Sequence, residues 1–259
     1  MAGASSRPTG KAAGGLVVDA RNLHYRELNR RLREAAARGE SEVRLVNVNG
    51  QRYIGTGVAG NLKLDIQGVP GNDLGAFLEG PTILVHNNAQ DGVGNTMNAG
   101  RIIVEGDAGD VVGYGMRGGK LLIKGEVGYR VGIHMKAYQG QLPVIVIGGG
   151  AGDFLGEYMA GGLLILLGLS ERNGRPLAGE HCATGIHGGE IYLRGEVRRW
   201  CISPHARLAV ARPEEIEGIR PHVAEFCAQF GGEVEKVLAA PFLRVAPFSH
   251  RPFGAKYAV

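Results

Sequence analysis

Nowhere in the 259-residue chain do about 18 apolar residues run together, so the sequence predicts no membrane span. The first fifteen residues lack the apolar core of a secretory signal, and residues 1–15 read as a disordered tail. Aromatics amount to 6%, and the net charge is only +4, drawn partly from Arg7, Lys11 and the stretch Arg26 to Arg38. With no basic surface interleaved by stacking rings, nucleic-acid binding is not expected. Three cysteines, Cys182, Cys201 and Cys227, form no C-x-x-C pair and suit a reducing, cytoplasmic setting.

Glycine is what the chain has in excess: 44 of 259 residues, where about 7% is usual. The glycines do not fall at every third place, which excludes collagen. They follow a repeat instead. Gly68, Asn87, Gly106 and Gly125 stand at steps of 19, and the series continues at Gly149, Gly168 and Gly195. Four and two residues before each anchor lie apolar pairs: Leu64/Ile66, Ile83/Val85, Ile102/Val104, Leu121/Ile123, Ile145/Ile147, Leu164/Leu166 and Ile191/Leu193. A period of two puts each pair on one face of a strand.

After the anchor the grammar continues. Gly71, Gln90, Gly109, Gly128 and Gly152 stand three places on; Gly75, Gly94, Gly113, Gly132 and Gly156 stand seven on. Apolar residues occupy the sixth place (Leu74, Val93, Val112, Val131, Leu155) and the tenth (Leu78, Met97, Met116, Met135, Met159). A 19-residue unit cannot bury its own apolar face and must stack on its neighbours. The expected fold is all-β: a right-handed parallel β-helix of about seven coils. The glycines mark corners, and Asn87 tolerates the left-handed region at one anchor.

Lys136 to Pro143 and Leu169 to Pro176 read as insertions, the second placing Gly179, Cys182 and Ile186 back in register. Cys182 and Cys201 then share the inward sixth place of consecutive coils, as buried, reduced neighbours. Residues 16–42 are expected to form an N-terminal capping helix, N-capped by Asp19, with Tyr25, Leu28, Leu32 and Ala35 on one face. Residues 43–205 form the β-helix, and 206–259 a C-terminal helix and extended tail. That second helix starts at Pro213, buries Ile216, Ile219, Val223, Phe226, Cys227 and Phe230, and is expected to kink or break at Pro221.

The Met column reads as core filling. His181, Cys182, His187 and Cys201 have the side chains of a zinc site but alternate between inward and outward places. Gly148 to Gly152 follow a strand without the helix that a phosphate site needs, so they read as a corner. Arg117, Arg130, His134, Lys136 and Tyr138 cluster in adjacent coils, either as a solvated rim or as a contact for an anion or a partner. The place three before the anchor should face outward, yet Leu84, Ile103, Leu122, Val146 and Ile165 are apolar. A terminal helix, the tail or another subunit must cover them.

The segments GNDLGAFLEGPTILVHNNAQDGVGNTM, GDAGDVVGYGMRGGKLLIKGEVGYRVGIHM and GGGAGDFLGEYMAGGLLILLGL resemble the C-terminal G-x-G-x-G domain of the glutamate synthase large subunit. The likeness spans roughly Gly68 to Gly195, and the C subunit of formylmethanofuran dehydrogenase and related formyltransferase/hydrolase complexes is a more distant relative. The resemblance implies a β-helix without catalytic, cofactor-binding or metal-binding residues of its own. It also implies partner subunits: a glutaminase with an N-terminal cysteine nucleophile, and a synthase carrying FMN and iron-sulfur. This chain begins Met-Ala-Gly and has neither that cysteine nor a cluster-binding spacing, which suggests a stand-alone structural subunit serving glutamate biosynthesis.

Overall fold

The seven apolar pairs stack as seven parallel strands, in the register that the repeat dictates. In the computed structural model, which describes residues 11–12, 15–170 and 174–249, these are β4 (Lys63–Val69), β5 (Glu79–Val85), β6 (Ala99–Val104), β7 (Lys120–Ile123), β8 (Val144–Ile147), β9 (Ala160–Leu166) and β10 (Gly188–Arg194). Leu64, Ile83, Ile102, Leu121, Ile145, Leu164 and Ile191 are successive partners along the sheet. Ahead of them come β1 (Lys11–Ala12), β2 (Gly15–Asp19), α1 (Tyr25–Ala37) and β3 (Glu42–Asn49). Seven anchors bound six intervals, so the regular part is a parallel β-solenoid of about six turns, one fewer than the expected count.

The core is a set of columns. Leu74, Val93, Val112, Val131, Leu155 and Cys182 from the sixth place are wholly buried, as are Met97, Met116, Met135 and Met159 from the tenth. Full burial of each such side chain contributes about 1.5–3 kcal/mol. The methionines explain the paired glycines of the following turn. A Cβ on Gly119, Gly162 or Gly189 would lie 2.4–2.8 Å from a Met Cε.

The corner glycines serve two different ends. Those at the seventh place have positive φ, +69° at Gly113, and a Cβ there would lie 2.3 Å from Ile145 Cδ1. Asn87 and the anchors Gly106, Gly125 and Gly149 do not have positive φ, contrary to the left-handed expectation. Glycine is needed at Gly106 and Gly125, and three places on at Gly109 and Gly128, because a side-chain oxygen from the turn before crosses each Cα. Asn88, Asp91, Asp107 and Asp110 pass within 2.0–2.1 Å of where those Cβ atoms would sit. Their oxygens accept the N–H groups of Asp107, Asp110, Glu126 and Tyr129 at 2.7–2.9 Å. Gly149 and Gly152 face the backbone of Gly125 and Gly128 instead.

Both ends are closed by the chain itself. Leu28, Leu32 and Ala35 of α1 join the solenoid core. The α1 N-cap is His24, whose Nδ1 accepts from Arg26 N, rather than Asp19. Asp19 ends β2 and accepts from Arg21 N and the Asn47 amide. At the other end, β11 (Ala206–Val210), α2 (Pro213–Phe230), α3 (Val234–Leu238) and β12 (Phe242–Pro247) follow β10. Part of the expected extended tail is therefore strand: β12 pairs antiparallel with β10, and β11 with β12. The tail beyond Ser249 lies outside the described residues, as do residues 1–10, 13–14 and 171–173.

α2 runs unbroken through Pro221. A proline there costs about 3 kcal/mol, which the packing of the helix offsets. Ile219, Val223, Phe226 and Cys227 bury against Ile103, Leu122, Val146 and Ile165, with Ile216, Phe230 and Leu84 half-buried alongside. The outward apolar stripe is thus covered by α2. Glu225 fixes the helix over adjacent strands by pairing with Arg101 at 2.8 Å and with Lys120. The register after β10 differs by one place from the expectation: Cys182 bridges to Ile202, which enters the core, while Cys201 is buried one position earlier. All three cysteines are free and buried.

Candidate interaction surface

Outside the core, the turns share two places of positive φ, five and nine residues after the anchor, most of which carry side chains. Asp73, Val111, Arg130, Phe154 and His181 form one column, and Phe77, Thr96, His134 and Tyr158 the other. This conformation costs a side-chain-bearing residue roughly 1–2 kcal/mol. Hydrogen bonds between turns hold it. Val111, Arg130 and Phe154 donate to Tyr129, Asp153 and Glu180 carbonyls at 2.8–2.9 Å, and His134 and Tyr158 to those of Glu157 and Thr184. Between them the seventh-place residue donates the opposite way, Gly113 to Val93 O and Gly132 to Val112 O.

The result is a rigid outer face on which rings and cations meet. His134 stacks on Tyr158 with centroids 5.4 Å apart, and Tyr114 meets its edge at 5.9 Å. Phe154 stacks on His181 at 4.8 Å. The Arg130 guanidinium lies 4.4 Å from the Phe154 centroid and pairs with Glu157 at 3.1 Å. Such contacts fix geometry and contribute about 0.5–1.5 kcal/mol each. Phe77 and Tyr129 nevertheless remain 52% exposed, Tyr158 43% and Tyr114 41%.

Of the five residues expected to cluster, Arg130 and His134 join this group. Arg117 stands 6.0 Å over the Tyr138 ring as a separate pair, and Lys136 is exposed beside them. Tyr114, Phe154 and Tyr158 were missed by sequence reasoning, although Phe154 and Tyr158 recur at the places of Arg130 and His134 in the repeat. The stripe Leu84, Ile103, Leu122, Val146 and Ile165 lies on a different face, beneath α2.

The other motifs do not converge on chemistry. His181 is on the ring stack, Cys182 in the core, and His187 Nδ1 lies 3.1 Å from Gly185 O. Among the described residues no cluster of His, Cys, Asp and Glu could hold a metal ion. Gly148 to Gly152 lead into another corner, and a Cβ on Gly148 would strike Lys124 O at 2.1 Å. His86 sits between two carboxylates, 3.0 Å from Glu105 and 3.3 Å from Asp65. Among the described residues no hydroxyl or thiol joins it as a nucleophile. Among the described residues, the outer face presents exposed aromatic rings together with Arg130 and His134.

Comparison with known proteins agrees with the columns. An uncharacterized protein, MJ1350, from Methanocaldococcus jannaschii is 45% identical over 250 residues, covering 93% of this chain and 96% of its own. A chain in the crystal structure of the formyltransferase/hydrolase complex (FhcABCD) from Methylorubrum extorquens, in complex with methylofuran, shares the fold. Its TM-score is 0.62 at 18% identity, over 91% of each chain. Residues 40–248, from the first strands of the solenoid to the strand that closes it, match the GXGXG motif family, and the chain belongs to that family.

Proposed function

We propose that this chain is a non-catalytic structural subunit that holds catalytic polypeptides of a larger complex in fixed relation. The observation that carries the reading is the uncovered outer face, where Arg130, His134 and Tyr158 are held by positive-φ backbone hydrogen-bonded between turns and Tyr114 packs against His134. Aromatic residues and arginine are the residues enriched in the cores of protein interfaces. Family membership favours a glutamate-synthase type of complex. Its glutaminase and its FMN- and iron-sulfur-bearing synthase would then be separate subunits in the cytoplasm, and this chain would contribute no cofactor to glutamate formation.

A second reading has its own support. Likeness of fold to a chain of a formyltransferase/hydrolase complex extends over 91% of both chains, which favours a partner role in one-carbon metabolism. Capture of the tagged full-length chain from its native cells, followed by mass spectrometry, separates the two. Glutaminase and flavoprotein partners in stoichiometric amounts support the first, and amidohydrolase-like partners the second. A monomer with no stoichiometric partner would reject both.

A further inference from the structure

Between α2 and the closing strands of the sheet lies a groove of about 730 Å³ that a scaffold role does not use. The outward column that is apolar as far as Ile165 changes character there, continuing as Tyr192 and then Arg244. Arg244 donates to Glu190, and the Tyr192 hydroxyl donates to the other Glu190 oxygen at 2.7 Å. Glu215 reaches in from α2, 3.4 Å from Arg244 Nε, while its two oxygens also accept from the backbone N–H and the guanidinium of Arg212 at 2.8 and 2.9 Å. Burial first, and the Glu190 carboxylate second, hold the Tyr192 phenol protonated well above its usual range.

This cluster is incompletely satisfied. Arg244 Nε and His222 Nδ1 are buried without a hydrogen-bond partner, Arg244 Nε meeting Glu215 only as an ion pair. Burial pushes the His222 imidazole down, toward its neutral form.

Gly218 supplies an independent sign. It sits inside α2 on the groove side, at φ values any residue adopts, and a Cβ there would meet nothing within 4 Å. Glycine in a helix interior is less favourable than alanine. No packing contact requires it. Its one effect on the surroundings is to keep the wall low, opposite a floor made of Gly161, Gly162 and Gly189.

We propose that the groove binds a small zwitterion of the α-amino-acid class. Its carboxylate would take the Arg244 guanidinium donors that Glu190 and Glu215 leave, together with the unpartnered His222 imidazole, and its ammonium the remaining lone pairs of Glu190 and Glu215. Its hydrocarbon part would lie along Leu142, Leu163 and Ile219, which line the same groove. A simple anion would face the two carboxylates, and a simple cation the guanidinium; only a ligand carrying both charges matches both.

Calorimetric titration of the purified full chain with L-leucine tests this, with acetate and isobutylammonium as single-charge controls. The expected result is saturable binding of one leucine per chain, with both controls at least about tenfold weaker, a gap of about 1.4 kcal/mol. Gly218→Leu should fill the groove and abolish the signal without lowering the thermal midpoint, since leucine favours the helix. His222→Ala should weaken binding about tenfold in a chain whose fold is unaltered by circular dichroism. No saturable leucine binding, equal binding of either control, or unchanged binding in both variants would overturn the proposal. It is independent of the scaffold reading: a chain that captures partners but fails this titration loses the groove alone.

Discussion

The side-chain carbonyl of Asn29, on α1, accepts the backbone N–H of Gly55 at 3.0 Å. In each later turn the equivalent N–H is taken by the turn before, as Gly75 gives its own to Ile54 O and Gly94 to Leu74 O. Gly55 has no earlier turn, and a helix side chain stands in for one. Asn29 is buried, and its amide is anchored on Tyr25 O. Replacing it by the similarly shaped leucine leaves the Gly55 N–H orphaned. Asn29→Leu should lower the unfolding free energy by about 1–3 kcal/mol in urea titration; an unchanged midpoint would show that the N-terminal end needs no such substitute.

Gly113, at the seventh place, should be more sensitive to substitution than Gly115, at the ninth. Gly113 and Gly115 both have positive φ, but a Cβ on Gly115 finds Thr96 Oγ1 at a comfortable 3.6 Å. Gly115→Ala should therefore cost only the backbone strain, about 1–2 kcal/mol. Gly113→Ala adds the collision with Ile145 Cδ1, about 1–3 kcal/mol more. Because Ile145→Val removes that atom, the double variant should be more stable than the two single losses summed. Strict additivity in the thermal midpoints would mean the collision is relieved some other way.

His86 lies between Asp65 and Glu105, and its pH behaviour follows from that placing. Burial pulls its pKa down, but the hydrogen bonds and charges of the two carboxylates outweigh this and raise it above 6.5. Burial likewise pushes Asp65 up, and Gln67, His86 and Arg44 together bring it below 3.8. The histidine's contribution is complete below its unfolded pKa and is lost as pH rises through the folded one. The aspartate's is complete above its unfolded pKa and is lost as pH falls through the folded one. The stability advantage of wild type over His86→Gln should thus be largest between about pH 4 and 6.5 and shrink in alkali. An NMR titration should place the His86 midpoint above 6.5, falling in Asp65→Asn.

The thiols should be silent in the native protein. Burial first, with Cys201 as a lesser cause, pushes the Cys182 thiol up to about 12, and burial raises Cys201 and Cys227 as well. A chromogenic disulfide reagent should release almost no colour at pH 8 until denaturant is added, then three equivalents. Prompt native reaction of Cys182 would place it outside the core.

Most of the solenoid was legible because its apolar pairs recur at fixed distance from glycine, and periodicity survives insertion. Gly179 shows this: beyond the second insertion it again meets an aspartate oxygen, that of Asp153, where Gly128 meets Asp110. What could not be read was held by long-range contact. Val111 and Thr96 are β-branched residues that argue against positive φ, and only hydrogen bonds to Tyr129 and Tyr114 in the next turn hold them there. β12 follows no repeat and owes its pairing to the open edge of β10. The one-place slip at Cys201 arises beyond Gly195, where no further anchor fixes the register. At the outer face, Arg130 and His134 were visible as charge, whereas Phe154 and Tyr158 looked like ordinary coil filling.

The cover helix also acts as a ruler. α2 has 18 residues, about 27 Å of helix, and it lies along the stack, with Glu215 beside Arg244 of β12 and Glu225 beside Arg101 of β6. The stripe from Leu84 on β5 to Tyr192 on β10 crosses five strand spacings, about 24 Å. Turns of a solenoid can in principle be duplicated or lost without disturbing their neighbours. Here a seventh regular turn would lengthen the stripe to about 29 Å, about 2 Å more than the helix covers, and a missing one would leave a helical turn with nothing beneath it. The number of turns is thus set from outside the repeat, by the length of the one helix that spans it.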